Sequence, residues 1–189
     1  LDFDAGCGPE CFDGTPLQQA AIHNNIDCFI YLVQHGANLL SFVGPGFKTS
    51  ILHLAAMFGS LEVVKYLLED CGVQVNNNYP TPLDFASEGG HLEVFQYLVE
   101  RQGYHQSITL HNAAVTANLE LLEYCIAQGA STEHTSQQEG RNFTALHFLM
   151  WCLPSDDHMA ALKTLLRHGA DPLAFIEPGG YSALHVVKS

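Results

Sequence analysis

A short signature recurs along the chain and limits what it can fold into: Thr15-Pro16-Leu17-Gln18, Ser50-Ile51-Leu52-His53, Thr81-Pro82-Leu83-Asp84, Ile108-Thr109-Leu110-His111, Thr144-Ala145-Leu146-His147 and Ser182-Ala183-Leu184-His185. Five units and the start of a sixth follow head to tail. After each of the first four signatures comes a pair of small residues, Ala20-Ala21, Ala55-Ala56, Ala86-Ser87 and Ala113-Ala114, then a short break and a second apolar run. The second runs are expected to be helices over Ile26 to His35, Leu61 to Cys71, Leu92 to Gln102, Leu119 to Gln128 and Met159 to His168. Gly36, Gly72, Gly103, Gly129 and Gly169 follow them, as suits a helix closed by a left-handed residue. Helices of about two to three turns do not persist alone, so each apolar face must be covered by the neighbouring unit. The Ala pairs allow first helices to approach closely, while Val63, Val64, Leu67 and Leu68 fill the space between second helices.

The period of about 33 residues, the TPLH-like start, the Gly90-His91 pair and the His35-Gly36-Ala37 and His168-Gly169-Ala170 ends resemble the ankyrin repeat family. The resemblance runs from about Glu10 through nearly the whole chain. It implies an all-α repeat solenoid, an ankyrin-type helix-turn-helix stack with short β-hairpin fingers and a concave groove lined by fingers and first helices. The repeats fall near 10–44, 45–76, 77–103, 104–138 and 139–175, with a partial one at 176–189, in a single domain over 1–189. Because the chain starts without Met and stops just inside a motif, it is expected to be a segment of a longer protein. Two places depart from the pattern. Tyr104 to Thr109 is too short for a full hairpin, so the third finger should be missing or collapsed. Leu153 to Asp157 lengthens the turn of the fifth unit, and Pro154 should end the first helix near Cys152.

Charge narrows the function. A net charge of -13 with only 7 Lys plus Arg argues against nucleic acid, since phosphate binding needs clustered cations. A basic partner is easier to accommodate. Some of this acidity belongs to the scaffold, because Asp27, Glu62, Glu93 and Glu120 recur in the first turn of the second helices, where carboxylates suit the helix dipole. No window reaches the roughly 18 to 20 apolar residues of a membrane span, so no direct membrane insertion is expected, and the chain reads as intracellular, cytoplasmic or nuclear.

Reactive side chains are present without coherent spacing. Cys28 and Cys125 sit inside apolar helical patterns, and Cys7, Cys11, Cys71 and Cys152 match no metal-ligand spacing, so reduced thiols are expected. Of the 11 histidines, His53, His111, His147 and His185 occupy the slot that the resemblance assigns to a structural cap. His35, His91 and His168 fall in other scaffold slots; His23, His105, His134 and His158 are scattered. Tyr31, Tyr66, Tyr97 and Tyr124 recur as an inter-repeat packing ladder. There is no GxSxG, P-loop, GxGxxG or HExxH, so neither catalysis, a metal, a cofactor nor a small-molecule ligand is expected.

Partner contacts are placed by the resemblance at finger tips and at the last exposed turn of each first helix. In register these are Ile22 and His23, Met57 and Phe58, Glu88 and Gly89, Val115 and Thr116, and Trp151 and Cys152. Phe12, Phe47, Tyr104, Phe143 and Tyr181 mark the finger bases, where they either line the groove or pin each finger to its neighbour. Trp151 with Phe143 and Tyr181 could also form a cage for a methylated lysine. The reading is a non-catalytic module binding a protein or peptide through its groove. The alternative is a regulatory or targeting segment of a larger enzyme, channel or secreted effector, docking intramolecularly or recruiting a substrate.

Overall fold

The first helices begin where their caps dictate. Thr15, Ser50, Thr81 and Thr144 each stand ahead of a helix whose third residue turns back to accept from the cap's own N–H. The acceptor changes from repeat to repeat while the geometry persists: Gln18 Oε1 at 2.8 Å from Thr15 N, His53 Nδ1 at 3.1 Å from Ser50 N, Asp84 Oδ2 at 2.6 Å from Thr81 N and His147 Nδ1 at 3.1 Å from Thr144 N. A capping interaction of this kind is worth about 1 kcal/mol, which matters for helices of seven residues.

The computed structural model describes residues 14–39, 50–75, 80–102, 106–138, 141–151, 156–176 and 181–182. It divides into two compact units, Leu1–Arg101 and Gln102–Ser189. The first holds three helix pairs: α1 (Pro16–Ile22) with α2 (Ile26–Gln34), α3 (Ile51–Met57) with α4 (Leu61–Glu69), and α5 (Pro82–Glu88) with α6 (Leu92–Gln102). Within it α1 packs on α3 and α3 on α5, while α2 packs on α4. The second unit holds α7 (Gln106–Val115) with α8 (Leu119–Ala127) and α9 (Ala145–Trp151) with α10 (Asp156–Arg167); α7 packs on α9 and α8 on α10. Two antiparallel hairpins complete it, β1 (Ser136–Gln138) with β2 (Arg141–Phe143) and β3 (Phe175–Ile176) with β4 (Tyr181–Ser182). Phe143 pairs with Ser136 and Tyr181 with Ile176.

The core is built from the repeated positions. Leu17, Leu52, Leu83, Leu110 and Leu146 are all buried, as are the small pairs beside them and Phe29, Val64, Phe95 and Leu122 in the second helices. Small residues let first helices close up; large ones fill the wider gap between second helices. Gly36, Gly72, Gly129 and Gly169 have positive φ and close their helices as expected, whereas Gly103 lies outside the described residues. The helices themselves stop earlier than the apolar runs: His35 and Gln128 are C-cap residues, and His168 follows the end of α10. At the other end, α10 begins at Asp156 rather than Met159. Helix α6 ends at Gln102 and α7 begins at Gln106; the residues between, where the third finger is expected to be missing or collapsed, lie outside the described residues.

The histidines of the signature carry the stack from one repeat to the next. A ring whose Nδ1 accepts the cap N–H must carry its proton on Nε2. In His147 that Nε2 donates to the Ala174 carbonyl at 3.0 Å, and in His53 the ring bonds the Pro80 backbone. His111 Nε2 likewise meets the Phe143 carbonyl at 3.0 Å. Burial pushes the pKa of His53 and of His147 below the usual imidazole value of 6.5, with the backbone bond opposing it in each case. Neutral rings are therefore structural parts here.

Candidate protein-interaction surface

Helix α3 shows how the exposed row arises. Its residues Ile51 to Ala56 are all buried, and then Met57 and Phe58 emerge at 39% and 40% exposure. Seven residues give about two turns, so the helix runs out of neighbours before it runs out of apolar side chains. The equivalent places on either side follow suit: Ile22 is half-buried and His23 exposed at the end of α1, and Glu88 is exposed at the end of α5. Consecutive turns are held close. Ser60 Oγ donates to the Ile22 carbonyl at 3.5 Å, and a Cβ on Gly89 would meet the Met57 carbonyl oxygen. The first unit thus presents Ile22, Met57 and Phe58 as one apolar row, flanked by His23 and ending at Glu88.

His91, expected as scaffold, packs on the turns that end this row. A Cβ on Gly59 would lie 2.7 Å from two of its ring atoms, and a Cβ on Gly89 would meet the same ring. The imidazole of the third repeat therefore lies against the turn of the second at Gly59, the residue after Phe58.

The second unit exposes fewer of the expected contact residues among those described. Val115 is 43% exposed at the end of α7, but Thr116 is half-buried and its hydroxyl donates to the Asn112 and Ala113 carbonyls, each at 3.3 Å. Trp151 closes α9 and Tyr181 lies in β4; their side chains, like all of Phe12, Phe47, Tyr104 and Cys152, lie outside the described residues. Phe143 is a correction. At 3% exposure it presents nothing to a partner, because its ring packs edge-on to His147 and tilted against Phe148, centroids 6.4 and 5.5 Å away. It pins the finger to the helix, which also removes it from any lysine cage.

The acids lie elsewhere. Asp27, Glu62, Glu93 and Glu120 are all exposed in the first turns of the second helices, and Glu62 meets Lys65 at 3.4 Å, a surface pair of little energetic weight. The tyrosine ladder is partly polar: Tyr97 donates to Glu69 Oε1 at 2.6 Å, and burial followed by that bond pushes its pKa up to about 12. Cys125 is buried as its pattern implies, but Cys28 is exposed. Among the described residues no three His, Cys, Asp or Glu side chains gather to hold a metal ion, and no helix is long and apolar enough to cross a membrane.

A profile of three-copy ankyrin repeats matches residues 38–109, and a single ankyrin repeat profile matches residues 13–41. The chain belongs to the ankyrin repeat family. A putative ankyrin repeat protein of Rickettsia bellii is 27% identical over 173 residues, covering 79% of this chain and 46% of that protein. Alpha-latrotoxin-Lh1a of Latrodectus hasselti is 53% identical over 49 residues, 25% of this chain and 4% of that protein. The ankyrin chain thus spans less than half the length of these curated relatives. Among solved structures it is similar to one chain of the complex of the Bd0816 predatory endopeptidase from Bdellovibrio bacteriovorus with the immunity protein Bd3460. That match has a TM-score of 0.65 at 26% identity over 92% of this chain and 90% of that chain. The fold is an ankyrin-type helical repeat solenoid, of a family that is generally non-catalytic and generally devoted to protein binding.

Proposed function

We propose that this ankyrin segment is a non-catalytic module that holds a protein or peptide along the exposed ends of its first helices. The observation that carries the reading is Met57 and Phe58, two large apolar side chains standing open at the end of an otherwise buried helix. Apolar rows rimmed by polar groups are what partner surfaces look like. The likeness to a chain from a protein–protein complex supports a protein as the occupant. With a net charge of -13, a basic partner meets the least repulsion. His23, Ile22, Glu88, Val115 and Thr116 complete the proposed contact set, with Trp151, Phe47 and Tyr181 retained from the sequence pattern. The share of longer relatives that the chain spans favours a second reading, in which the module docks or recruits a target for a larger protein.

The test uses peptides selected from a random display library on the immobilised chain. Met57→Ala with Phe58→Ala should weaken the selected peptide by roughly 1 to 4 kcal/mol in calorimetric titration while leaving the melting midpoint nearly unchanged. Glu62→Ala and Glu93→Ala, on the second helices, should be nearly silent. Loss of binding in the Glu variants together with a silent Met57/Phe58 variant would move the interface to the opposite face.

A further inference from the structure

The first repeat is open at positions that the next two repeats cover. In the second repeat Ile51, Val63 and Leu67 are buried, and in the third so are Pro82, Val94 and Leu98. Each of these repeats has the preceding one on its near side: α1 and α2 pack on α3 and α4, and α3 packs on α5 while Tyr97 of α6 bonds Glu69 of α4. The same register positions in the first repeat are Pro16, Cys28 and Leu32, of which Pro16 and Cys28 are exposed and Leu32 only half-buried. Tyr31 follows the pattern. Its counterparts Tyr66 and Tyr97 are half-buried, whereas it stands 57% exposed. With Ala20, these residues line an open groove of about 600 Å³ along α1 and α2.

The chemistry of that face is that of an interior repeat. A terminal repeat stays soluble by carrying polar residues on its outer side, but here the groove floor is proline, alanine, cysteine, tyrosine and leucine, with Gln19, Asn25 and Asp27 among its polar margins. The interface inside the chain also states what fits. Tyr97 reaches back to donate to Glu69, the last residue of the preceding second helix. Tyr31 occupies the same ladder position, stacked on His35 with centroids 4.0 Å apart, so an acceptor at the same place on an incoming helix would meet it.

We propose that this face receives a further ankyrin-type helix pair of the same polypeptide, stacked ahead of the first repeat in the register that the second repeat uses on the first. The incoming pair presents small residues in its first helix, branched apolar residues in its second, and a Glu, Gln or Asp near the end of the second to meet Tyr31. This rests on the repeat register; His23, which lines the groove, also stands in the proposed contact set, so the occupant is tested at Cys28 and not through partner binding.

The experiment compares the 189-residue chain with the same chain carrying a copy of its own residues 45–75 joined ahead of Leu1. Alkylation of Cys28 by iodoacetamide is followed peptide by peptide in a mass spectrometer. In the extended chain the Cys28 rate should fall at least about tenfold, the copy and the first repeat should melt in one transition, and Leu32→Glu should restore the original rate. A second arm carries residues 77–102 in place of the copy, guarding against one appended repeat that does not fold. Unchanged Cys28 labelling in both arms overturns the proposal. So does protection of Cys28 in the unextended chain that rises with concentration alongside a dimer in sedimentation, because the occupant is then a second copy.

Discussion

At the turn between the paired helices one backbone conformation recurs at four positions with three residue types. Asn24, Gly59, Gly90 and Ala117 share the register position and all have positive φ, from 49° to 72°. Left-handed backbone costs a residue with a Cβ about 1–2 kcal/mol, and Ala117 shows that the fold bears this cost. At Gly59 the cost is larger, because the added methyl would also strike the His91 ring. Gly59→Ala should therefore destabilise by roughly 2 to 3 kcal/mol in denaturant melts, more than the strain alone. In a His91→Ala background the same substitution should cost visibly less, a non-additivity expected of touching groups. Equal costs in both backgrounds would mean that the ring does not press on the turn. Of this turn the sequence offered only the Gly90-His91 pair; the contact of the ring with Gly59 was not legible, since contact across a repeat boundary leaves no local pattern.

The elements are tied together by neutral imidazoles, and this gives stability a pH dependence. Burial depresses the folded pKa of His53 and His147 below 6.5. Between the depressed values and 6.5 the unfolded chain binds more protons than the folded one, so stability is full above about 6.5 and falls as the pH is lowered through that window. The first repeat supplies the control: Gln18 fills the same capping position without titrating. Replacing both rings, His53→Gln and His147→Gln, should flatten the fall of the melting midpoint below pH 6.5 while keeping the caps. A slope identical to that of the parent chain would show that other groups set it. The helices and their order were readable beforehand because caps, small pairs and closing glycines are local signals. Their C-terminal ends were misjudged by one residue at His35, Gln128 and His168, which still donate to the carbonyl four residues back but stand just past the helix, and by two at Cys71. Phe143 was ambiguous for a different reason: an aromatic at a finger base looks the same whether it faces a groove or, as here, the ring of Phe148.

For the molecule as a whole, the recurring acids of the second helices lie apart from the exposed apolar ends of the first helices, and on the proposed function their contributions to binding separate accordingly. The apolar row lies at the ends of the first helices, while Asp27, Glu62, Glu93 and Glu120 repeat along the starts of the second. Anchors that are desolvated on binding set how long a complex lasts; diffuse charge sets how often partners meet, and it is screened over about 8–10 Å at moderate ionic strength. For a basic partner, raising the salt from about 50 to 300 mM should slow association by roughly tenfold or more with little change in dissociation. Met57→Ala with Phe58→Ala should do the reverse, speeding dissociation and leaving association nearly untouched. Stopped-flow or surface-based kinetics of the parent chain and the double variant at several salt concentrations would separate the two. An association rate indifferent to salt would assign the -13 charge to solubility and helix stability alone, because a field that does not steer a cationic partner is a property of the scaffold and not of the interface.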